Sequence, residues 1–159
     1  MRARPTTTGL LALALTLGGG VGAGAGAQSD HFSLGPTQFG SDSKGAVLCT
    51  WAIYLETQVA TKACGWTRTP TDDAIDRSID RIEDFIVANS SAHPTRAALK
   101  AFEAGTAARQ TTGLTGEALA RYCSNPSFQA FRAGSPSDTE ASVRALLAQP
   151  REPVMNPCL

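Results

Sequence analysis

The sequence contains four cysteines, and their spacing limits the chemistry in which they can take part: Cys49, Cys64, Cys123 and Cys158. Cysteines bind metals or form disulfides, and structural zinc sites usually place two ligands only about two to four residues apart. Here the nearest two cysteines are fifteen positions apart, and only two histidines could add ligands. We therefore predict two disulfides, no metal site and no free thiol for nucleophilic catalysis.

General acid–base chemistry near neutral pH has few candidates in this sequence. His31 and His93 are the only side chains that ordinarily titrate in that range. His31 lies in a segment without periodic pattern, and His93 directly precedes Pro94. The motifs of serine hydrolases, zinc proteases and phosphate-binding loops do not occur. The sequence therefore predicts a protein that is not an enzyme and uses no cofactor.

An acidic run on the second predicted helix raises the question of cation binding. Its members are Asp73, Asp76, Asp80 and Asp84. Arg77 and Arg81 interleave with this run, and Asp73 and Arg77 have the spacing of a favourable helical ion pair. Hard cations prefer a loop that can wrap them, and no such loop follows. We interpret the run as a solvated helix face.

The first 27 residues have the three zones of a secretory signal peptide. Arg2 and Arg4 form a positive start, and residues 9–17 are apolar but too short to span a bilayer. A small-residue stretch then ends in Ala25-Gly26-Ala27, which suits signal peptidase. Removing 27 of 159 residues leaves 132, with twelve basic and fourteen acidic side chains. We predict a periplasmic or secreted protein with no membrane span after cleavage and no nucleic-acid partner.

Helical periodicity dominates the rest of the chain. Residues 28–43 contain turn residues without a sustained period, so we predict an irregular lead-in, followed by a helical domain over 44–159. The most apolar segment, 44–63, predicts a central helix that Gly65 ends. One face of this helix carries apolar residues at spacings of three and four: Leu48, Ala52, Leu55, Val59 and Ala63.

Further helices are marked by their start signals. Thr69-Pro70-Thr71-Asp72 opens a helix that runs to about Asn89. Its apolar stripe consists of Ile75, Ile79, Ile82 and Ile86. We also predict helices over 94–110 and 115–123, one turn at Phe128 and Phe131, and a last helix from Ser135. The result is an all-α bundle of about five helices stapled by two disulfides.

The central helix limits how the cysteines pair. Cys49 and Cys64 would lie about 22 Å apart along it, because each residue adds about 1.5 Å, whereas bridged α-carbons lie within about 7 Å. The pairing Cys49–Cys64 with Cys123–Cys158 is therefore excluded. Antiparallel packing of successive helices favours Cys49–Cys123 with Cys64–Cys158, and the pairing Cys49–Cys158 with Cys64–Cys123 stays open.

Aromatic side chains are the remaining candidates for a binding surface. Trp51 and Tyr54 lie on the main apolar helix, where aromatic residues usually belong to the core. Trp66 follows the helix-ending Gly65, so we predict that it is partly exposed and binds a partner. An exposed patch around Trp66 would favour a protein partner. An enclosed apolar cavity lined by Trp51 and Phe102 would favour a small ligand.

The cysteines and their neighbours also carry a family resemblance. The chain contains Cys49-Thr-Trp-Ala-Ile-Tyr-Leu, Cys64 ahead of Thr69-Pro70-Thr71, and Pro157-Cys158. This order resembles the small periplasmic immunity proteins that neutralise amidase effectors of type VI secretion, although residues 111–136 depart from their pattern. The resemblance implies an exported helical protein with a protein partner in the cell envelope. We predict a non-enzymatic, immunity- or inhibitor-like binding protein, and the alternative is a periplasmic small-ligand-binding or envelope-stress protein.

Overall fold

A computed structural model describes residues 30–158 of the chain. The predicted signal peptide, residues 1–27, lies outside the described residues. Six α-helices and one short 3-10 helix, Pro36–Phe39, make up the described part. The α-helices are α1 (Val47–Ala63), α2 (Pro70–Asn89), α3 (Arg96–Thr111), α4 (Gly116–Cys123), α5 (Pro126–Arg132) and α6 (Pro136–Leu146). None of these helices is long and apolar enough to cross a membrane.

The predicted all-α fold with two disulfides is confirmed. Within residues 30–158 no strand forms, and the only β-type pairing is an isolated bridge between Ser41 and Asn156. The segment around Phe128 and Phe131, which we predicted as a single turn, is the seven-residue helix α5. Asn125 starts it by accepting a hydrogen bond from the Ser127 backbone, with proline at the first helical position.

Helix α2 occupies the centre of the bundle and packs against α1, α3 and α6. It starts where predicted, because the Thr69 hydroxyl accepts a hydrogen bond from the Asp72 backbone while the Asp72 carboxylate accepts one from the Thr69 backbone. Its isoleucine stripe is confirmed as core, with Ile82 and Ile86 fully buried. Burial of this stripe fixes which face of α2 meets its neighbours.

Helix α1 begins at Val47, three residues later than predicted. Gly45 has a φ of +114°, a left-handed conformation that an α-helix does not contain. A side chain on Gly45 would also clash with Leu146, because an added β-carbon would lie 2.6 Å from Leu146 Cδ1. The turn before α1 therefore needs this glycine, and the helix can start only after it.

The favoured disulfide pairing is wrong, and the second pairing is the one that forms. Cys49 bonds Cys158 and Cys64 bonds Cys123, with α-carbon distances of 5.4 and 5.7 Å. The reason is the path of the C-terminal tail, which we had not placed. The tail returns to the first turn of α1, where the Leu48 backbone donates to the Val154 carbonyl at 3.0 Å. Cys158 thus reaches the start of α1, and Cys123 is left at its other end.

The lead-in before α1 is packed onto the helices. Phe32 is buried in the core, and its ring meets Trp51 edge-on at a centroid distance of 5.9 Å. Gln38 is buried as well, and its carbonyl accepts a hydrogen bond from the Met155 backbone in the tail. The segment predicted as an irregular lead-in therefore closes one end of the bundle together with the tail.

The buried stripe of α2 gives a stability test. We expect Ile82→Asp to lower the free energy of unfolding by at least about 3 kcal/mol, since it places an unpaired charge in the core. Asp80→Asn changes an exposed residue two positions away, and its effect should stay within about 0.5 kcal/mol. Urea unfolding of both variants measures this, and equal losses would contradict the assigned orientation of α2.

Candidate functional site

An apolar cavity of about 360 Å³ lies between α1 and α3. Helix α1 supplies one wall, α3 from Lys100 to Gln110 supplies the other, and Leu34 and Met155 complete the lining. The apolar wall residues on the helices include Leu48, Trp51, Leu55, Val59, Phe102 and Ala107. Cavities that hold small organic ligands usually have volumes of about 300–1,000 Å³, so this one falls within that range.

Stacked aromatic rings form one part of the cavity wall. Trp51 and Phe102 stack with their centroids 5.7 Å apart and their planes 19° from parallel. Phe32 from the lead-in meets both rings edge-on, at 5.9 Å from Trp51 and 5.3 Å from Phe102. Three mutually packed rings from three separate segments support one another on this side of the cavity.

Several buried polar atoms without hydrogen-bond partners belong to residues of this cavity. Five buried side-chain polar atoms have no hydrogen-bond partner among the described residues. Three of the five belong to residues of the cavity wall: Trp51 Nε1, Glu103 Oε1 and Gln110 Oε1. Buried polar groups in native proteins nearly always have partners. One donor and two acceptors at a single cavity are therefore available to pair with water or with a bound molecule.

A charged cluster lies behind the same wall. Glu83 on α2 is fully buried, and it accepts from Arg96 Nη1 at 2.5 Å and from Lys100 Nζ at 2.8 Å. Lys100 Nζ also lies 3.1 Å from Glu103 Oε2. Lys100 and Glu103 are both wall residues of the cavity, so the cluster connects the cavity with the interior of α2.

The two carboxyl groups of this cluster differ in protonation. Burial opposes ionisation of Glu83, but hydrogen bonds with Glu103, Lys100 and Arg96 lower its pKa. Burial, together with the hydrogen bond to Glu83 and its charge, raises the pKa of Glu103 to about 7. Glu83 therefore stays ionised, and Glu103 holds a proton at slightly acidic pH.

Trp66 lies elsewhere, beyond the C-terminal end of α1. The indole is half-buried, and the Arg132 guanidinium lies over its ring at 4.9 Å. Arg132 is itself buried and forms two hydrogen bonds with Asp72, at 2.9 and 3.0 Å. Burial opposes ionisation of Asp72, but hydrogen bonds from Arg132 and Thr69 lower its pKa. One face of Trp66 is thus covered by a paired cation.

In the described part of the chain, the two histidines and the acidic run of α2 do not form a catalytic or metal-binding centre. His31 and His93 are exposed on different segments, and neither lines the 360 Å³ cavity. Within residues 30–158 no group of three or more histidines, cysteines or acids could hold a metal ion. The acidic run of α2 forms ion pairs instead: Arg68 contacts Asp73 and Asp76, and Arg96 contacts Asp84.

Sequence reasoning missed Glu83 and Glu103, although a signal for Glu83 was present. Glu83 lies four positions after Ile79 and three before Ile86, so it falls on the apolar stripe rather than on the solvated face. Glu103 directly follows Phe102, which we named as a residue that could line a cavity. Their meeting depends on how α2 and α3 cross, which no local pattern encodes.

Comparison with known proteins adds no assignment: no protein-family model, no curated protein and no solved structure matches this chain. The resemblance to immunity proteins therefore stays a prediction.

The proton on Glu103 predicts a pH effect on stability. The folded pKa lies above the ordinary value of 4.5, so this group destabilises the fold progressively as pH rises through the interval from 4.5 to about 7. Glu103→Gln removes that dependence. Between pH 5 and pH 8 we expect the free energy of unfolding of the variant to gain roughly 2 kcal/mol relative to the wild type.

Urea unfolding at the two pH values measures this gain. Glu117→Gln is the matched control, because the Glu117 side chain is 84% exposed on α4. A constant difference between Glu103→Gln and wild type across this pH range would show that Glu103 titrates normally.

Proposed function

We propose that this protein is an exported, non-enzymatic binding protein that holds a small, largely apolar organic molecule between α1 and α3. The observation that carries the proposal is the coincidence of an apolar cavity with three unpartnered polar atoms, on Trp51, Glu103 and Gln110. Apolar walls with a few convergent polar groups are typical of small-molecule sites. The walls supply affinity, and the polar groups select and orient the ligand.

The size and rigidity of the cavity support this proposal. A cavity of about 150 Å³ holds benzene, so 360 Å³ is room for a molecule of roughly twice that size. The stacked Trp51 and Phe102 rings and the disulfides at the two ends of α1 restrict collapse of the walls. A preformed site loses less conformational freedom on binding, which favours affinity.

The carboxyl pair supports recognition rather than catalysis. Acid–base catalysis by two carboxyl groups requires that both reach the substrate or a water molecule beside it. Glu83 is fully buried and engaged by Arg96 and Lys100. Of this pair only Glu103 belongs to the cavity wall, so a bound molecule cannot reach both carboxyl groups at once.

A substitution that fills the cavity tests the proposal. Ala107 is a wall residue, and Ala107→Phe should lower the affinity for the neutral fluorescent probe N-phenyl-1-naphthylamine at least about tenfold by occupying the space. Ala145→Phe on an exposed position of α6 is the matched control and should bind as wild type does. Fluorescence titration measures both, with thermal melts to verify folding. Equal affinities in the two variants would refute binding in this cavity.

A second candidate function is the binding of a protein partner, as in the immunity-like prediction. The observation in its favour is an open groove of about 570 Å³ that is lined by Trp66, Gly65 and Lys62 and adjoins the cavity at Val59. A partly accessible tryptophan beside a groove is a frequent anchor in protein interfaces. The disulfide at Cys64 holds the backbone next to it.

Truncation of Trp66 tests this second candidate. We expect Trp66→Ala to weaken binding of a partner recovered from the native envelope fraction by about 2 kcal/mol. The control is Phe39→Ala, which removes a 54% exposed aromatic side chain from the 3-10 helix before α1 and should leave binding unchanged. Titration calorimetry with the recovered partner measures the affinities, and an equal loss in the two variants would argue against Trp66 as the anchor.

A further inference from the structure

The unpartnered polar atoms of the cavity are mainly hydrogen-bond acceptors. Glu103 Oε1 and Gln110 Oε1 have no donor among the described residues. Glu56 on the α1 wall lies in the same cavity, and it forms no ion pair with any described residue. The unpartnered donor of the wall is the Trp51 indole N–H. A molecule that satisfies this wall must therefore bring more donors than acceptors.

The cations near the cavity are already occupied. Lys100 lies 2.8 Å from Glu83 and 3.1 Å from Glu103. Arg96 pairs with Glu83 and Asp84. Asp80 lies 3.7 Å from Arg96 and 4.0 Å from Lys100, so two cations face four acids in this cluster before Glu56 is added. Neither cation is left to receive an anionic ligand, and a second carboxylate would be repelled by the acids already present.

We infer that the ligand is a hydrophobic organic cation whose ammonium group contacts Glu103 while its apolar body lies against Trp51 and Phe102. This inference rests on the proposed function and names the ligand class of the same cavity. An ammonium group brings three donors and no acceptor, which matches a wall of carboxyl and amide oxygens. The aromatic faces of Trp51 and Phe102 also attract a neighbouring cation.

Binding of the cation moves one proton. Below neutral pH Glu103 holds a proton, since burial and Glu83 raise its pKa to about 7. When the ammonium group binds, the Glu103 carboxyl group releases this proton to solvent and becomes the carboxylate of a charge-assisted hydrogen bond. The amine keeps its own proton, so one proton leaves for each ligand bound to protonated Glu103.

The surroundings of Glu103 set the pH range of this exchange. From α2 it faces Glu83, and Asp80 of the same helix lies 4.0 Å from Lys100. From α3 it faces Lys100, and Arg96 of the same helix contacts Glu83. From α1 the cavity wall presents Glu56. Because the pKa of Glu103 is raised to about 7, cation affinity should rise about tenfold from pH 6 to pH 8.

Three ligands with the same eight-carbon chain separate the inference from the proposed function: octylamine, 1-octanol and octanoate. Titration calorimetry on the oxidised protein should give octylamine at least about tenfold tighter binding than 1-octanol at pH 8. In buffers of different ionisation enthalpy, octylamine should release about 0.9 protons per ligand at pH 6 and about 0.1 at pH 8. Glu103→Gln should abolish both effects, and Glu117→Gln should keep them.

Each other outcome is decisive. Equal affinities for octylamine and 1-octanol, both lost in Ala107→Phe, would refute the ammonium inference and leave the proposed function standing. Tighter binding of octanoate would refute the inference as well, because it would show that Lys100 directs an anion into the cavity. If no member of the series binds, or if Ala107→Phe leaves binding unchanged, the inference and the cavity function both fail.

Discussion

Two disulfides fix helix α1 at both of its ends, and the rest of the structure is arranged around that constraint. Cys49 in the first turn holds the C-terminal tail, and Cys64 just past the last turn holds the end of α4. The bridged cysteines are 109 and 59 positions apart, separations at which chain-entropy arguments give roughly 4–5 kcal/mol each. Because α1 is also a wall of the cavity, the same bonds that stabilise the fold keep that wall in position.

Buried charges play opposite roles at the two ends of α2. At its start, Asp72 forms an ion pair with Arg132, so the two buried charges neutralise each other. The Arg132 guanidinium also covers the Trp66 ring. Farther along α2, Glu83 pairs with Arg96 and Lys100. Glu103 shares only Lys100, holds a proton at slightly acidic pH and has one oxygen without a hydrogen-bond partner. A balanced pair fixes structure, whereas an unbalanced carboxyl group leaves binding free energy available to a partner.

Features encoded within one helix could be predicted from the sequence, and features that depend on two chain segments could not. The cap at Thr69 and the isoleucine stripe after it are local signals, and both were found. The disulfide pairing was predicted incorrectly because the path of the tail after Pro150 carries no periodic pattern. Glu103 was missed for a similar reason, since its partner Glu83 comes from a different helix.

The covalent loops of this chain are nested, with 64–123 enclosed by 49–158. Residues 64 and 123 both precede residue 158, so closure of the inner loop does not require the C-terminal tail, whereas closure of the outer loop does. The tail that completes the outer loop also brings Met155 to the cavity. The wall of the cavity is therefore complete only when the last residues of the chain are packed against α1.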